Sequence, residues 1–261
     1  MDTLNNKANV KAQYATSANL NQRISFHEKY STNKTGFANW IFSNYKIRSG
    51  AKVLELGCGT GNMWQNRAEI IAKCSELVLS DFSEGMIKTA QDNLKQFSEV
   101  SYKVIDIQDI PFEDDHFDVV IANMMLYHVP DLQQALSEVK RVLKADGTFY
   151  AATYGEHGII EFLSKSLHAY GVTDKVNKNF TLQNGPDILR KHFANVNLLE
   201  YKDSLEVTNL DDLVEYVYSL TSMTELSQYP KNEIKSSLSK LQKNGVLTVP
   251  KEYGMFVCRY I

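Results

Sequence analysis

Lys52-Val53-Leu54-Glu55-Leu56-Gly57-Cys58-Gly59-Thr60-Gly61 is the stretch that decides the fold. Its first half is a short apolar run of the kind buried on both faces of a parallel sheet. Its second half puts a glycine at every other position directly after that strand. Glycines there let the backbone turn sharply and approach a ligand that a Cβ would exclude, although a tight turn holding nothing would read the same way. The spacing is G-x-G-x-G. The dinucleotide fingerprint is G-x-G-x-x-G, and Asn62-Met63 supplies no glycine in the next two places. The Gly-Lys-Ser/Thr ending of a triphosphate-binding loop is also missing, so a triphosphate does not fit.

Working outward, the alternation of strand and helix continues on both sides. Upstream, a helix is expected from about Thr32, with Ser31 as its cap and Phe37, Trp40, Ile41 and Tyr45 on one stripe. Downstream, residues 63–73 read as a helix and Leu77-Val78-Leu79 as a second strand. Ser83 caps a helix carrying Met86, Ile87, Ala90 and Leu94. Residues 100–105 and 117–122 are the third and fourth strands. Asp131 caps a helix striped by Leu132, Ala135, Leu136, Val139, Val142 and Leu143, and Asp146-Gly147 turns into a fifth strand over 148–153. Beyond it, residues 158–170, 186–193, 210–220 and 232–241 look helical, and 196–199 and 255–260 look like strands that close the sheet edge. The expected fold is therefore α/β: a Rossmann-like, mostly parallel, seven-stranded sheet with helices on both faces and a helical cap region. The expected division is an N-terminal arm or lid over 1–30, rich in Asn, Ser and Gln, a nucleoside-binding core over 31–154, and cap helices with the final strands over 155–261 of the same domain.

Composition narrows the function. The 261 residues carry a formal charge of −3, with 43% hydrophobic and 23% charged residues, and the pI is about 6.1. That balance offers no basic face for nucleic acid. Mean hydropathy is −0.32, no apolar run approaches the roughly 18 residues of a membrane span, and residues 1–14 lack the apolar centre of a signal peptide. Cys58, Cys74 and Cys258 have no paired spacing and read as reduced thiols of a cytoplasmic protein, with no metal site. Two further acids stand at strand ends. Asp81, about twenty residues after Gly61, can accept from both hydroxyls of a ribose or cap the helix that follows. Asp106 can accept from an exocyclic adenine amine, with the backbone of Ile107 beside it, or bond its own turn.

Together these residues resemble the class I S-adenosylmethionine-dependent methyltransferases, especially the small-molecule group that includes ubiquinone-biosynthesis-type enzymes. Val53 to Gly61 resembles that family's first motif and Asp81-Phe82-Ser83-Glu84-Gly85-Met86 its ribose-binding turn. Asp106 through Phe112 and Phe117-Asp118 resemble its adenine segment and fourth strand, and Asn123-Met124-Met125-Leu126-Tyr127-His128 resembles the loop beyond. The resemblance implies that Glu55, Gly57 and Gly59 shape the pocket under the methionine half of S-adenosylmethionine, with Cys58 also at the cofactor, Gly61 at the start of the following helix and Asp81 on the ribose. It places Phe82 and Met86 beside adenine, Asp106 and Ile107 at the adenine edge, and Asn123 near the methionine portion. Phe82 and Met86 also suit an ordinary helix-on-sheet core.

Methyl transfer from a sulfonium needs alignment more than covalent catalysis. A base is required only if the acceptor must lose a proton. His128, after the fourth strand, is the first candidate; it could equally bond locally ahead of Val129-Pro130. Tyr14, Arg23 and His27 in the arm are candidates for closing over the cofactor, Arg23 or His27 at its carboxylate and Tyr14 also in catalysis. His157 at the cap entrance is a weaker candidate, and His116 belongs to a solvated acidic turn. The loop after the fourth strand is not the Asn/Asp-Pro-Pro-aromatic sequence of enzymes that methylate exocyclic amines, and no Pro-Cys nucleophile is present. The expected acceptor is a small molecule, handled by a monomer or homodimer without nucleic acid, membrane or metal. Phe162, Tyr170, Phe180, Tyr201, Tyr216 and Tyr218 are available to line its pocket or to fill core. Two other classes remain open on the sequence: a nicotinamide-dependent oxidoreductase with an irregular fingerprint, and a non-catalytic cofactor-binding module.

Overall fold

The structure, a computed structural model, describes residues 18–260. One seven-stranded sheet organises them, with strands β1 (Ala51–Leu56), β2 (Cys74–Asp81), β3 (Val100–Val104), β4 (Phe117–Asn123), β5 (Leu143–Tyr154), β6 (Asn195–Val207) and β7 (Leu247–Arg259). Their spatial order is β3-β2-β1-β4-β5-β7-β6. The first five are parallel, and β7 runs antiparallel to both β5 and β6. The strand order reverses between β1 and β4, and the C-terminal ends of strands at such a reversal are where open α/β sheets hold ligands.

Alternation along the strands separates two cores. On one face Leu54, Leu56, Val78, Val120, Ala122, Phe149 and Ala151 pack beneath α5 (Leu132–Val142). On the other, Val53, Leu77, Leu79, Val119, Ile121, Tyr150, Ala152 and Met255 pack beneath α2 (Phe37–Asn44) and Trp64. The helix α4 (Glu84–Asn93) starts at Ser83, whose hydroxyl accepts from the Met86 amide, and α5 starts at Asp131, whose carboxylate accepts from Gln134. Both caps are the ones its residue types predict.

Several local expectations change. Residues 63–73 are not one helix: a 3-10 turn over Asn62–Trp64 precedes a four-residue helix, α3 (Ala68–Ile71). The turn carries the Trp64 ring into the sheet face, where it is 1% exposed, and a straight helix would not bring it there. Ser31 caps nothing; α2 begins after Gly36, and the Ser31 hydroxyl instead donates to Asp203. Part of the expected arm is an ordered helix, α1 (Ala18–Tyr30), docked by stacking Phe26 on Tyr216 at 4.5 Å. The acidic turn over 113–115 is exposed, while His116 itself is half-buried: its ring packs against Phe117 and bonds Glu76 at 2.8 Å.

After β5 come α6 (Ile159–Ser166) and α7 (Gly185–Leu189). Between β6 and β7 come α8 (Leu210–Tyr218) and α9 (Lys231–Ser239). β6 and β7 are 13 residues each and pair along their whole length, from Asn195–Arg259 to Val207–Leu247. Their distal ends, Leu205, Val207, Leu247 and Val249, join α1, α6, α8 and α9 in a third apolar cluster.

Candidate functional site

The first three site residues follow from register. Glu55 lies opposite Leu79 and Ile121, and Asn123 opposite Ala152, so Glu55, Asp81 and Asn123 all continue the face of Val53, Leu79 and Ile121. Glu55 is 3% exposed. Its two carboxylate oxygens accept from Trp64 Nε1 at 2.5 Å and from Asn123 Nδ2 at 3.1 Å. Burial, opposed by those two bonds, holds the carboxyl up at about 7. The same Asn123 amide donates to Tyr45 Oη at 2.8 Å. Asn123 Oδ1, in contrast, is buried and finds no acceptor's partner among the described residues. A buried amide oxygen left without a donor is costly.

The glycine loop stands in front of this acid. A Cβ on Gly57 would sit 2.7 Å from Met125 Cγ, and one on Gly61 2.9 Å from Leu94, so both allow close packing of protein on protein. Gly59 differs. At φ +57 it has the left-handed conformation that side chains resist, and a Cβ there would meet nothing within 4 Å. Its bare backbone therefore faces open space, and its amide is held by Asp81 Oδ2 at 3.0 Å. Asp81 Oδ1 accepts from Ser83 at 2.8 Å, and burial raises its carboxyl against those backbone bonds. Asp81 thus fastens the loop to the start of α4, and its carboxylate, with about four acceptor sites, retains capacity for a ligand. Cys58 lies beside it with its thiol pushed up by burial, which leaves it an inert thiol.

The adenine-side candidates are positioned less directly. Asp106 Oδ1 accepts from the backbone and side-chain amides of Gln108, both at 3.0 Å, which is the turn-bonding alternative. Ile107 and Met86 are buried, at 5% and 2% exposure. Phe82 is half-buried.

Beyond β4 the chemistry changes from acids to rings. Met124 adopts φ 54, unusual for a non-glycine residue, and turns the chain so that Met125 covers Gly57 and a 3-10 turn, Leu126–His128, follows. Tyr127 packs on His128 at 4.5 Å and on Tyr154 at 4.6 Å. Tyr154 pairs with Tyr253 across β5 and β7. Tyr253 lies 5.9 Å from His27, whose Nε2 is 3.3 Å from Tyr216 Oη. Arg23 sends its charge onto His128, His27 and Tyr216. Burial first, then Arg23, lowers His128 to about 4; burial and Lys251 lower His27 to about 3. Both imidazoles are neutral at neutral pH.

Of the sequence candidates, Glu55, Gly57, Cys58, Gly59, Gly61, Asp81 and Asn123 come together at the loop, and Arg23, His27 and His128 gather beside them. Tyr14 lies outside the described residues. His157 is 65% exposed on the surface. Of the cap aromatics, Tyr216 reaches this region while Phe180 lies in the opposite core against Phe256. Sequence reasoning missed Trp64 and Tyr45, because each reaches the site by a bond that local periodicity does not encode. Among the described residues no group of His, Cys, Asp and Glu could hold a metal ion, and no helix is long and apolar enough to cross a membrane. Two shallow surface clefts, at Ile110–His116 and beside Trp40, contain none of the residues above.

This sheet order and loop define a nucleoside-binding α/β protein of the methyltransferase type. A sequence profile described as a methyltransferase domain matches residues 47–217, and the chain belongs to the class I S-adenosylmethionine-dependent methyltransferase family. It is 31% identical over 128 residues to a demethylmenaquinone methyltransferase of Staphylococcus carnosus, 49% of this chain and 51% of that protein. It is 28% identical over 182 residues to a ubiquinone/menaquinone biosynthesis C-methyltransferase of Escherichia coli O1:K1, 67% of this chain and 72% of that one. The first of these matches spans about half the length of the relative. In fold, a crystal structure of a Bacillus halodurans C-125 protein described as a candidate methyltransferase superposes with a TM-score of 0.60 at 15% identity, covering 86% of this chain and 98% of that one.

Proposed function

We propose that this chain transfers the methyl group of S-adenosylmethionine to a small-molecule acceptor, and that a ring carbon of a quinone-type molecule is the acceptor to test first. The buried, unpartnered Oδ1 of Asn123 carries the reading. It is an acceptor waiting for a donor at the end of β4, one bond from Glu55, where the ammonium of the methionine half supplies one. The open space at Gly59 and the acid of Asp81 beside it fit the rest of the molecule. The acceptor class comes from the names of the two relatives, supported by the neighbouring rings of Tyr127 in the turn after β4, Tyr154 at the end of β5 and Tyr253 opposite it on β7.

When bound, the sulfonium supplies a methyl group with a neutral thioether as its leaving group. The residues of the chain hold and orient. Glu55 fixes the amide of Asn123 and the ring of Trp64, so the wall under the methionine half has one arrangement. Asp81 holds the ribose, with Phe82 and Met86 flanking the base and Asp106 with Ile107 at its edge. Alignment of donor and acceptor supplies about 7–11 kcal/mol of the barrier. His128, neutral at its pKa of about 4, accepts a proton where the acceptor has one to lose. The helices of 155–261 serve as a cap over this mouth and its final strands complete the sheet, within the same domain as the core.

Calorimetric titration with S-adenosylmethionine and S-adenosylhomocysteine tests the reading. Micromolar uptake of both is expected, and no uptake by folded protein at millimolar ligand overturns it. Asp81→Ala is expected to weaken uptake by about 1.5–3 kcal/mol; an unchanged affinity removes Asp81 from the ribose.

A further inference from the structure

The ion pair of Asp203 and Lys251 lies outside the site just described, in the paired strands β6 and β7, with side chains 0% and 3% exposed. A pair so buried adds little net stability over apolar residues of the same size, and its best-attested use is to fix one arrangement among several. Five donors converge on this carboxylate. Lys251 Nζ is at 2.7 Å, the Asn33 and Ser204 amides are each at 2.9 Å, Thr32 Oγ1 is at 3.2 Å, and the Ser31 hydroxyl completes the set. Three of the five come from residues 31–33, the joint between α1 and α2.

That joint is also laid along the outer strand of the sheet. Ser31 forms an antiparallel bridge with Leu205, the Thr32 amide donates to the Ser204 carbonyl at 2.9 Å, and Asn33 Nδ2 donates to the Lys202 carbonyl at 3.0 Å. Just before the joint, Lys29 and Tyr30 both bond Asp212 of α8. The helix α1 therefore leaves a fixed point in a fixed direction, and that direction carries His27 to Tyr216 and Arg23 to within electrostatic reach of His128.

We propose that Asp203 is a positioning residue: by clamping residues 31–33 to β6 it holds α1 at the mouth of the site, setting His27 against Tyr216 and Tyr253 and the Arg23 charge toward His128. The proposal rests on reading that mouth as the acceptor side of the site. Its consequence is that α1 is a wall of the site and not a loose arm.

His128 reports on this directly. The charge facing it is Arg23; those facing His27 are Lys251, Asp203 and Arg23. Ring-labelled histidine NMR on the full chain, with His128→Gln for assignment, is expected to place His128 near 4 in the unaltered protein. Asp203→Asn is expected to raise it by about one pH unit or more toward its ordinary 6.5, because α1 withdraws and water reaches the ring. If α1 stays in place, His128 does not move, and His27 falls further because Lys251 is left uncompensated; that result overturns the proposal. A purely structural role lowers the unfolding midpoint and leaves His128 where it was. Should Asp203→Asn not fold, Ser31→Ala with Thr32→Val keeps the ion pair while loosening the joint, and the same rise, smaller, is expected; no rise in that folded variant also overturns it. Titration with S-adenosylhomocysteine in parallel separates the two readings, since loss of cofactor uptake in the unaltered protein defeats the proposed function without touching the His128 result.

Discussion

The two halves of the mouth are built from different chemistry. The ends of β2, β1 and β4 present Asp81, Glu55 and Asn123, two acids and an amide: Asn123 donates to Glu55 at 3.1 Å, Trp64 donates to Glu55 at 2.5 Å, and the Gly59 amide donates to Asp81 at 3.0 Å. On the side of β5 and β7 stand Tyr154, at the end of β5, and its partner Tyr253, midway along β7, with Tyr127, His27 and Tyr216 packed about them and the cations Lys251 and Arg23 close by. The first half suits a cationic, hydroxyl-rich ligand and the second a flat, weakly polar one. On the proposed reading the first half receives the cofactor and the second the acceptor.

Three measurements sharpen or break this contrast. The largest effect is expected at Glu55. A carboxyl held at about 7 in the folded chain against 4.5 in the unfolded one withdraws on the order of 3 kcal/mol from stability as pH rises. The sign follows from the raised folded value: the contribution is fully present below about 4.5 and is lost as pH passes through about 7. Urea unfolding across that window is expected to slope downward in the unaltered protein and to flatten in Glu55→Gln. Equal slopes would mean that Glu55 ionises freely.

Next comes Gly59→Ala. A methyl group there meets no atom of the described residues within 4 Å, so among them only the strained φ acts on folding, while the proposed cofactor loses its place. Calorimetry is expected to show a fall in S-adenosylhomocysteine affinity of about a hundredfold, near 2.7 kcal/mol, in a protein that still folds. The smallest effect is expected in the other half. His128→Ala is expected to leave that affinity within about twofold and to slow turnover of a proton-losing acceptor by roughly tenfold, because an imidazole held near 4 is a weak base at neutral pH. A loss of cofactor affinity in this variant would mix the two halves.

Legibility in the sequence followed the reach of each interaction. Ser83 and Asp131 cap helices through amides three residues away, and the glycine loop announces its turn within five residues, so these were readable. Trp64 was assigned to a helix because its partner, Glu55, is a strand residue met only after the chain turns back. Tyr45 was assigned to an apolar stripe, and its bond to Asn123 spans 78 positions. β6 and β7 were seen only at 196–199 and 255–260, because Lys202, Asp203, Lys251 and Glu252 interrupt the apolar alternation with charges. Two of those charges are buried against each other. The strand-end residues Glu55, Asp81 and Asn123 are locally encoded, whereas Trp64 and Tyr45, which hold them, and the aromatic half are brought in by the fold.

The joint at residues 31–33 has one more consequence. β6 is the last strand of the sheet, and at Ser204 and Leu205 its outward carbonyl and amide groups are occupied by that joint. An uncovered border of this kind recruits strands from other molecules. A fragment trimmed to begin after Asn33 would bare that border and tend to gather into aggregates, so a tag or cleavage site is better placed well upstream.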